Sequence, residues 1–248
     1  MRCQPRPKAP VYIWLKNTQG CLLCDETSDT ALALCSQCEA DLPWLGVHCA
    51  VCALPLPVSL SELSLVCGGC LKQPPAFDRV TAPWRFAFPL DSLISRFKHQ
   101  AKWPLGHLLG ALLVRHLRHA YDEGLAPPDL LLPVPLADRR LRQRGFNQAA
   151  LLARWLSRGL HLPLNETWLR RTRDTPAQQG LDAAARTRNL RRAFALAPEA
   201  AVEGLHLALV DDVLTTGATA QQLARLLKRA GAARVEVYCL ARTPKPGD

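Results

Sequence analysis

Leu205-His-Leu-Ala-Leu-Val-Asp-Asp-Val-Leu-Thr-Thr-Gly-Ala-Thr-Ala-Gln221 is the stretch on which the reading of this chain turns. Its apolar run at 207–210 has the pattern of a strand buried on both faces. Two carboxylates, Asp211 and Asp212, follow at once. A turn of small residues comes next: Thr215, Thr216, Gly217, Ala218 and Thr219. Leu223, Leu226 and Leu227 then recur at helical spacing, which predicts a helix starting near Thr219. A helix N-terminus offers free N–H groups and the positive end of a dipole, so it attracts phosphate. The threonine hydroxyls add donors, and Gly217 lets the backbone approach an anion closely. Carboxylates beside a phosphate are repulsive unless they accept hydrogen bonds from sugar hydroxyls or face a metal ion. Successive strand side chains point to opposite faces, so the two acids are expected to have different tasks. The ligand that fits is a ribose 5-phosphate with free hydroxyls.

A second strand of the same kind is expected at 129–134. It runs into a loop of Val134, Pro135, Leu136, Ala137, Asp138 and Arg139, followed by Arg140, Arg144-Gly145-Phe146-Asn147-Gln148 and a helix over 148–156. Ligands of open parallel sheets sit at the carboxyl ends of the strands. A phosphate turn and an Arg-rich loop on adjacent strand ends would hold a ligand with phosphates at both ends, and guanidinium suits pyrophosphate because it binds two oxygens at once. A last strand is expected over 234–240.

Eight of the ten cysteines fall in four Cys-x-x-Cys pairs: Cys21/Cys24, Cys35/Cys38, Cys49/Cys52 and Cys67/Cys70. Each knuckle places two thiolates on one side of a tight turn, and two knuckles complete the tetrahedral shell of a structural zinc. Two Zn²⁺ are therefore expected. Sequential pairing is the simplest assignment, and the spacing does not exclude interleaved pairing of the first pair with the third. A module of this size with few large apolar groups needs the metal for its folding free energy. His48 reads as a neighbour of the ligands rather than a ligand, and Cys239 as a buried thiol.

With 248 residues, a double zinc ribbon at 21–70 and a larger domain at 76–248 are accommodated, after a basic tail at 1–20 and with Leu71-Lys72-Gln73-Pro74-Pro75 as the boundary. A net charge of +10 favours anionic partners, single-stranded DNA among them. Cations and rings interleave over 84–103, where Lys98 is a candidate for the anion site while the rings are expected to pack the core. The segment 167–194 is Arg-rich with few apolar anchors. The most apolar helix candidate, 105–121, is interrupted by five His and Arg residues and is too polar to enter a bilayer. No secretory leader pattern is present, so a cytoplasmic protein is expected.

The stretch 205–221 resembles the phosphoribosyl pyrophosphate (PRPP) signature of type I phosphoribosyltransferases. The run Pro133-Val134-Pro135-Leu136, then Arg140 and Arg144-Gly145-Phe146-Asn147-Gln148, then that signature, all after paired cysteine knuckles, is similar to the ComF (competence protein F) family. The resemblance implies an α/β fold, a type I phosphoribosyltransferase-like parallel sheet flanked by helices, preceded by a small Cys-rich double zinc ribbon. It implies catalytic-type contacts of Asp211 and Asp212 with ribose hydroxyls, the 5-phosphate on residues 215–219, and the pyrophosphate of Mg²⁺-PRPP on residues 134–139. Arg140, Arg144, Asn147 and Gln148 match signature positions. For the Arg-rich segment 167–194 the resemblance to phosphoribosyltransferases implies a mobile loop that closes over the ligand. The family is associated with DNA uptake in natural transformation, which brings a helicase-like partner into consideration. Binding without turnover and phosphoribosyl transfer both remain open, because no residue is assigned as general base.

Overall fold

The computed structural model describes residues 19–57, 65–172 and 193–244. The chain divides into two compact units, Met1–Ala40 and Asp41–Asp248. The division falls ahead of the expected 71–75 boundary, because the third and fourth cysteine pairs pack into the main core beside Phe77 and Val80.

In the first unit, the first two knuckles flank a turn tied down by Asp29. Its carboxylate accepts from the Ser36 N–H at 2.8 Å and the Ser36 hydroxyl at 2.6 Å. The short helix α1 (Ser36–Ala40) starts there.

In the second unit, α2 (Gly68–Lys72) carries the last knuckle. β1 (Arg79–Thr81) and β2 (Trp84–Arg85) pair in parallel with successive parts of one strand, β7 (Arg234–Arg242). Ala82 and Pro83 separate them, and proline has no N–H to continue the ladder. β7 pairs with β6 (His206–Leu214), and β6 with β3 (Leu130–Pro133), all in parallel. The order is therefore β1/β2, β7, β6, β3. Residues 207–210 are fully buried in β6, as two covered faces require. The strand extends through both acids to Leu214, beyond the expected end at Val210.

One face of the sheet, with Leu207, Leu209, Val235 and Val237, packs against α7 (Ala218–Arg229) and the second cysteine cluster. The opposite face meets α4 (Trp103–Asp122), whose Tyr121 hydroxyl donates to that of Tyr238 at 3.3 Å. α6 (Gln148–Leu160) packs on β3 and β6. α3 (Leu90–Gln100) lies on α4 through Phe97, so closely that a Cβ on Gly106 would collide with the Phe97 ring. Phe97 in turn stands 5.8 Å from Phe146, which stands 4.8 Å from Trp103. The rings are thus largely packing groups, although Trp103 stays 45% exposed.

The Arg-rich run after β3 forms a short helix, α5 (Asp138–Arg144), closed by Gly145 at φ 82. The sequence reading had it as loop. β4 (Leu169–Arg171) and β5 (Phe194–Leu196) form a separate antiparallel pair at the two ends of the expected ligand-covering loop. Most of that loop, including Arg173, Thr175, Gln178, Arg186, Arg188, Asn189, Arg191 and Arg192, lies outside the described residues. So does the tail up to residue 18. Among the described residues no helix is long and apolar enough to cross a membrane.

Candidate ribose-phosphate site and metal centres

The carboxyl ends of β3 and β6 lie side by side: Pro133 pairs with Val210, and the Val134 N–H donates to the Val210 carbonyl at 2.9 Å. The two expected ligand loops therefore leave the sheet together. Each acid on β6 accepts the N–H of the next residue, Asp211 from Asp212 and Asp212 from Val213, both at 2.9 Å. From there the two differ. Asp212 is buried and pairs through Oδ2 with Lys98 Nζ of α3 at 2.6 Å. Asp211 is half-buried and makes no ion pair among the described residues. Burial of its carboxyl, and then the neighbouring Asp212 charge, push Asp211 well above the usual carboxylate range.

Beyond Leu214 the chain enters the turn. Thr215 and Thr216 are exposed, and Gly217 takes the left-handed conformation, φ 74, that its lack of a Cβ permits. The Thr216 hydroxyl accepts from the Ala218 N–H at 3.3 Å, but the N-cap of α7 makes no side-chain cap hydrogen bond. The first turn of α7 thus presents N–H groups outward beside Thr219.

Arg242 fixes the turn from behind. Its guanidinium is buried and donates to the carbonyls of Cys52 at 2.9 Å, Leu214 at 3.0 Å, Thr243 at 2.7 Å and Thr215. The sequence reading missed it. The signal was a cation that ends the apolar run 237–241 of β7.

On the other loop, Asn147 donates from Nδ2 to the Val134 carbonyl at 3.0 Å and accepts the Ala149 N–H at 3.0 Å, capping α6. It holds loop and helix together, as Gln148 does by accepting from Arg144 Nη1. Arg144 also lies near enough to Asp212 to feel its charge. Arg139 and Arg140 are exposed on α5, and Pro135 and Leu136 are half-buried between Val134 and that helix. Acidic pair, turn, Val134 loop, Lys98 and Arg144 are thereby gathered at one end of the sheet.

The cysteines group sequentially, Cys21, Cys24, Cys35 and Cys38 in one cluster and Cys49, Cys52, Cys67 and Cys70 in the other. Within each, all four sulfurs lie within 4.8 Å of one another. Cys24–Cys35 and Cys52–Cys67 Sγ–Sγ separations are 3.7 Å. Tetrahedral zinc with Zn–S bonds of about 2.3 Å requires sulfurs about 3.8 Å apart. Backbone donors favour thiolate: the Cys67 N–H reaches Cys49 Sγ at 3.3 Å, and the Cys70 N–H reaches Cys67 Sγ at 3.5 Å. Burial opposes ionisation of Cys21 and Cys49, yet backbone N–H donors bring them down to about 6 and about 7. Both clusters fit structural zinc and leave no ligand position for His48, which is exposed and bonded to the Gly46 carbonyl. Cys239 is fully buried, and burial raises its thiol to about 12, the behaviour of an inert packing group.

A parallel sheet with this acidic pair and threonine turn, in a chain that also carries two four-cysteine clusters, defines a protein of the phosphoribosyltransferase fold with a double zinc ribbon. Family models agree: a double zinc ribbon domain matches residues 17–71, and a phosphoribosyl transferase domain matches residues 147–247. The DNA utilization protein YhgH of Escherichia coli K12 is 40% identical over 224 residues, 90% of each chain. Competence protein F of Haemophilus influenzae is 37% identical over 214 residues, 84% of this chain and 90% of that one. Among solved structures, Bacillus subtilis glutamine PRPP amidotransferase overlaps 54% of this chain and 25% of its own, with 21% identity and a TM-score of 0.36. The chain belongs to the competence protein F (ComF) family.

Proposed function

We propose that this chain serves DNA uptake and that its β6–α7 turn holds the phosphate of a phosphorylated ribose. The observation that carries this is the N-terminus of α7, opened by Gly217 with the exposed Thr215 and Thr216 before it, on the turn that follows the acidic pair. In this reading Thr215, Thr216, Gly217, Ala218 and Thr219 hold the 5-phosphate. Asp211 takes the ribose hydroxyls. Asp212, engaged by Lys98, keeps strand and α3 in register beneath them. Val134, Pro135, Leu136, Arg139 and Arg140 receive a second phosphate or the pyrophosphate of Mg²⁺-PRPP, with Asn147 and Arg144 holding that loop in place.

The names of the relatives favour a DNA role, and the net charge of +10 favours a single strand as ligand in a cytoplasmic setting. A helicase-like protein of the uptake apparatus is the partner we would test first.

The second reading is phosphoribosyl transfer, with an acceptor displacing pyrophosphate at C1. It is favoured by the adjacent ends of β3 and β6, which would flank a ligand phosphorylated at both ends. The discriminating measurement is binding of Mg²⁺-PRPP and of single-stranded DNA to the parent and to Asp211→Asn/Asp212→Asn. Loss of PRPP binding with DNA binding retained supports a nucleotide site separable from the strand contact. A parent that never binds PRPP removes the transferase reading.

A further inference from the structure

Behind the threonine turn lies a cavity of about 560 Å³, within the second unit. That is the size of a small-molecule pocket. One wall is Leu54, Pro75 and Phe77 with the Cys67–Cys70 knuckle. The other is the turn itself, Thr215 to Ala218, with Gln222 and Arg225 of α7. Asp211, Asp212, Lys98 and Arg144 do not line it. The cavity therefore shares the turn with the candidate ribose-phosphate site but not its carboxylates, and lies outside that site.

The lining specifies a ligand. Among the described residues it contains no Asp or Glu. Of its two cations, Arg242 is committed to backbone carbonyls, whereas Arg225 makes no ion pair among the described residues. A four-thiolate zinc shell would carry net negative charge, which disfavours an anion beside Cys67 and Cys70 and favours a group that offers N–H donors to sulfur. The anionic part belongs by Arg225 and the turn. Flat apolar walls, an N–H-bearing neutral edge and an attached anion describe a nucleobase joined to a phosphate.

We propose that this cavity receives one base of single-stranded DNA, from the nucleotide on the far side of the phosphodiester held at the turn. The proposal rests on the reading of the turn as a phosphate site. A phosphodiester has two ester oxygens, so a nucleoside departs from it on each side. One goes toward Asp211, the other into the cavity. The 5-phosphate of PRPP is a monoester and leaves the cavity unused. The same turn can thus hold either ligand, and only a strand fills the pocket behind it.

The test uses the zinc-loaded full chain and two variants on the cavity wall, Gln222→Trp, which fills it, and Arg225→Glu, which reverses its free cation. Affinities are measured for a short 5′-phosphorylated oligodeoxyadenylate carrying 2-aminopurine, and for Mg²⁺-PRPP, with melting curves confirming folding. The expected result is oligonucleotide affinity lower by about tenfold in each variant, as loss of one base stack gives. In Gln222→Trp, PRPP affinity should change less than about twofold. Folded variants that bind the oligonucleotide like the parent overturn the proposal, as does equal loss of both ligands in Gln222→Trp, which would place the effect on the turn. If the parent binds neither ligand, the phosphate reading of the turn fails as well, a result separable from failure of the cavity alone.

Discussion

The guanidinium of Arg242 meets the carbonyl of Cys52 at 2.9 Å, and the same group holds the carbonyls of Leu214 and Thr215. One buried cation thus ties the second cysteine cluster to the threonine turn. The end of β7 acts as a strut, and cluster and turn become one mechanical unit. Hydrogen bonds to a charged group contribute about 1.5–3 kcal/mol each, and orphaned carbonyls add a desolvation cost. Arg242→Ala should therefore lower the stability of the second unit by about 3–5 kcal/mol, read from denaturant unfolding. Arg242→Lys should recover only part, since one ammonium cannot span four carbonyls.

The two metal sites should behave independently, because they lie in different compact units. The intact chain should carry close to two zinc by elemental analysis. Cys24→Ser should remove one zinc and leave the melting of the second unit unchanged. Cys52→Ser should remove one zinc and lower that melting temperature, since its cluster is part of the main core. Equal effects of the two variants on the second unit would contradict this.

Lys98 and Asp212 form the ion pair beneath the candidate site. Lys98→Met leaves the carboxylate buried and alone and should cost about 3 kcal/mol. The double variant Lys98→Met/Asp212→Asn should cost less than Lys98→Met alone, because no charge is then stranded. Denaturant midpoints of the parent, Lys98→Met, Asp212→Asn and the double variant form a cycle that reads the coupling directly.

Asp211 gives a pH signature. Its folded pKa is raised above the unfolded value of 3.8, so above pH 3.8 the native chain holds more of this proton than the unfolded chain. Stability therefore falls as pH rises from about 4 through the folded pKa. Asp211→Asn should abolish that fall, so the variant gains on the parent across this window. A difference between them that stays flat with pH would contradict the assignment.

Most of this architecture was legible in the chain itself. The four Cys-x-x-Cys pairs announce zinc because two thiolates three residues apart can scarcely do otherwise at that repetition. The run 207–210 announces a doubly covered strand. Spacing alone left the cysteine pairing open, and the sulfur positions resolve it as sequential. The limits are physical too. Residues 138–144 are six polar side chains around one leucine, with no periodicity, and the helix there is visible only from its closure at Gly145. The Lys98–Asp212 pair joins residues far apart in sequence, and local pattern carries no information about it. The same holds for Arg242 and Cys52, and for the packing of the second ribbon half into the main core.

The account depends most on the turn after β6. Its most direct measurement is a crystal structure of the zinc-loaded chain soaked with ribose 5-phosphate. Density for the phosphate on the N–H groups of residues 217–219, with the sugar hydroxyls against Asp211, is the expected result. A well-ordered turn with no ligand density there, at concentrations that fill other phosphate sites, would contradict it.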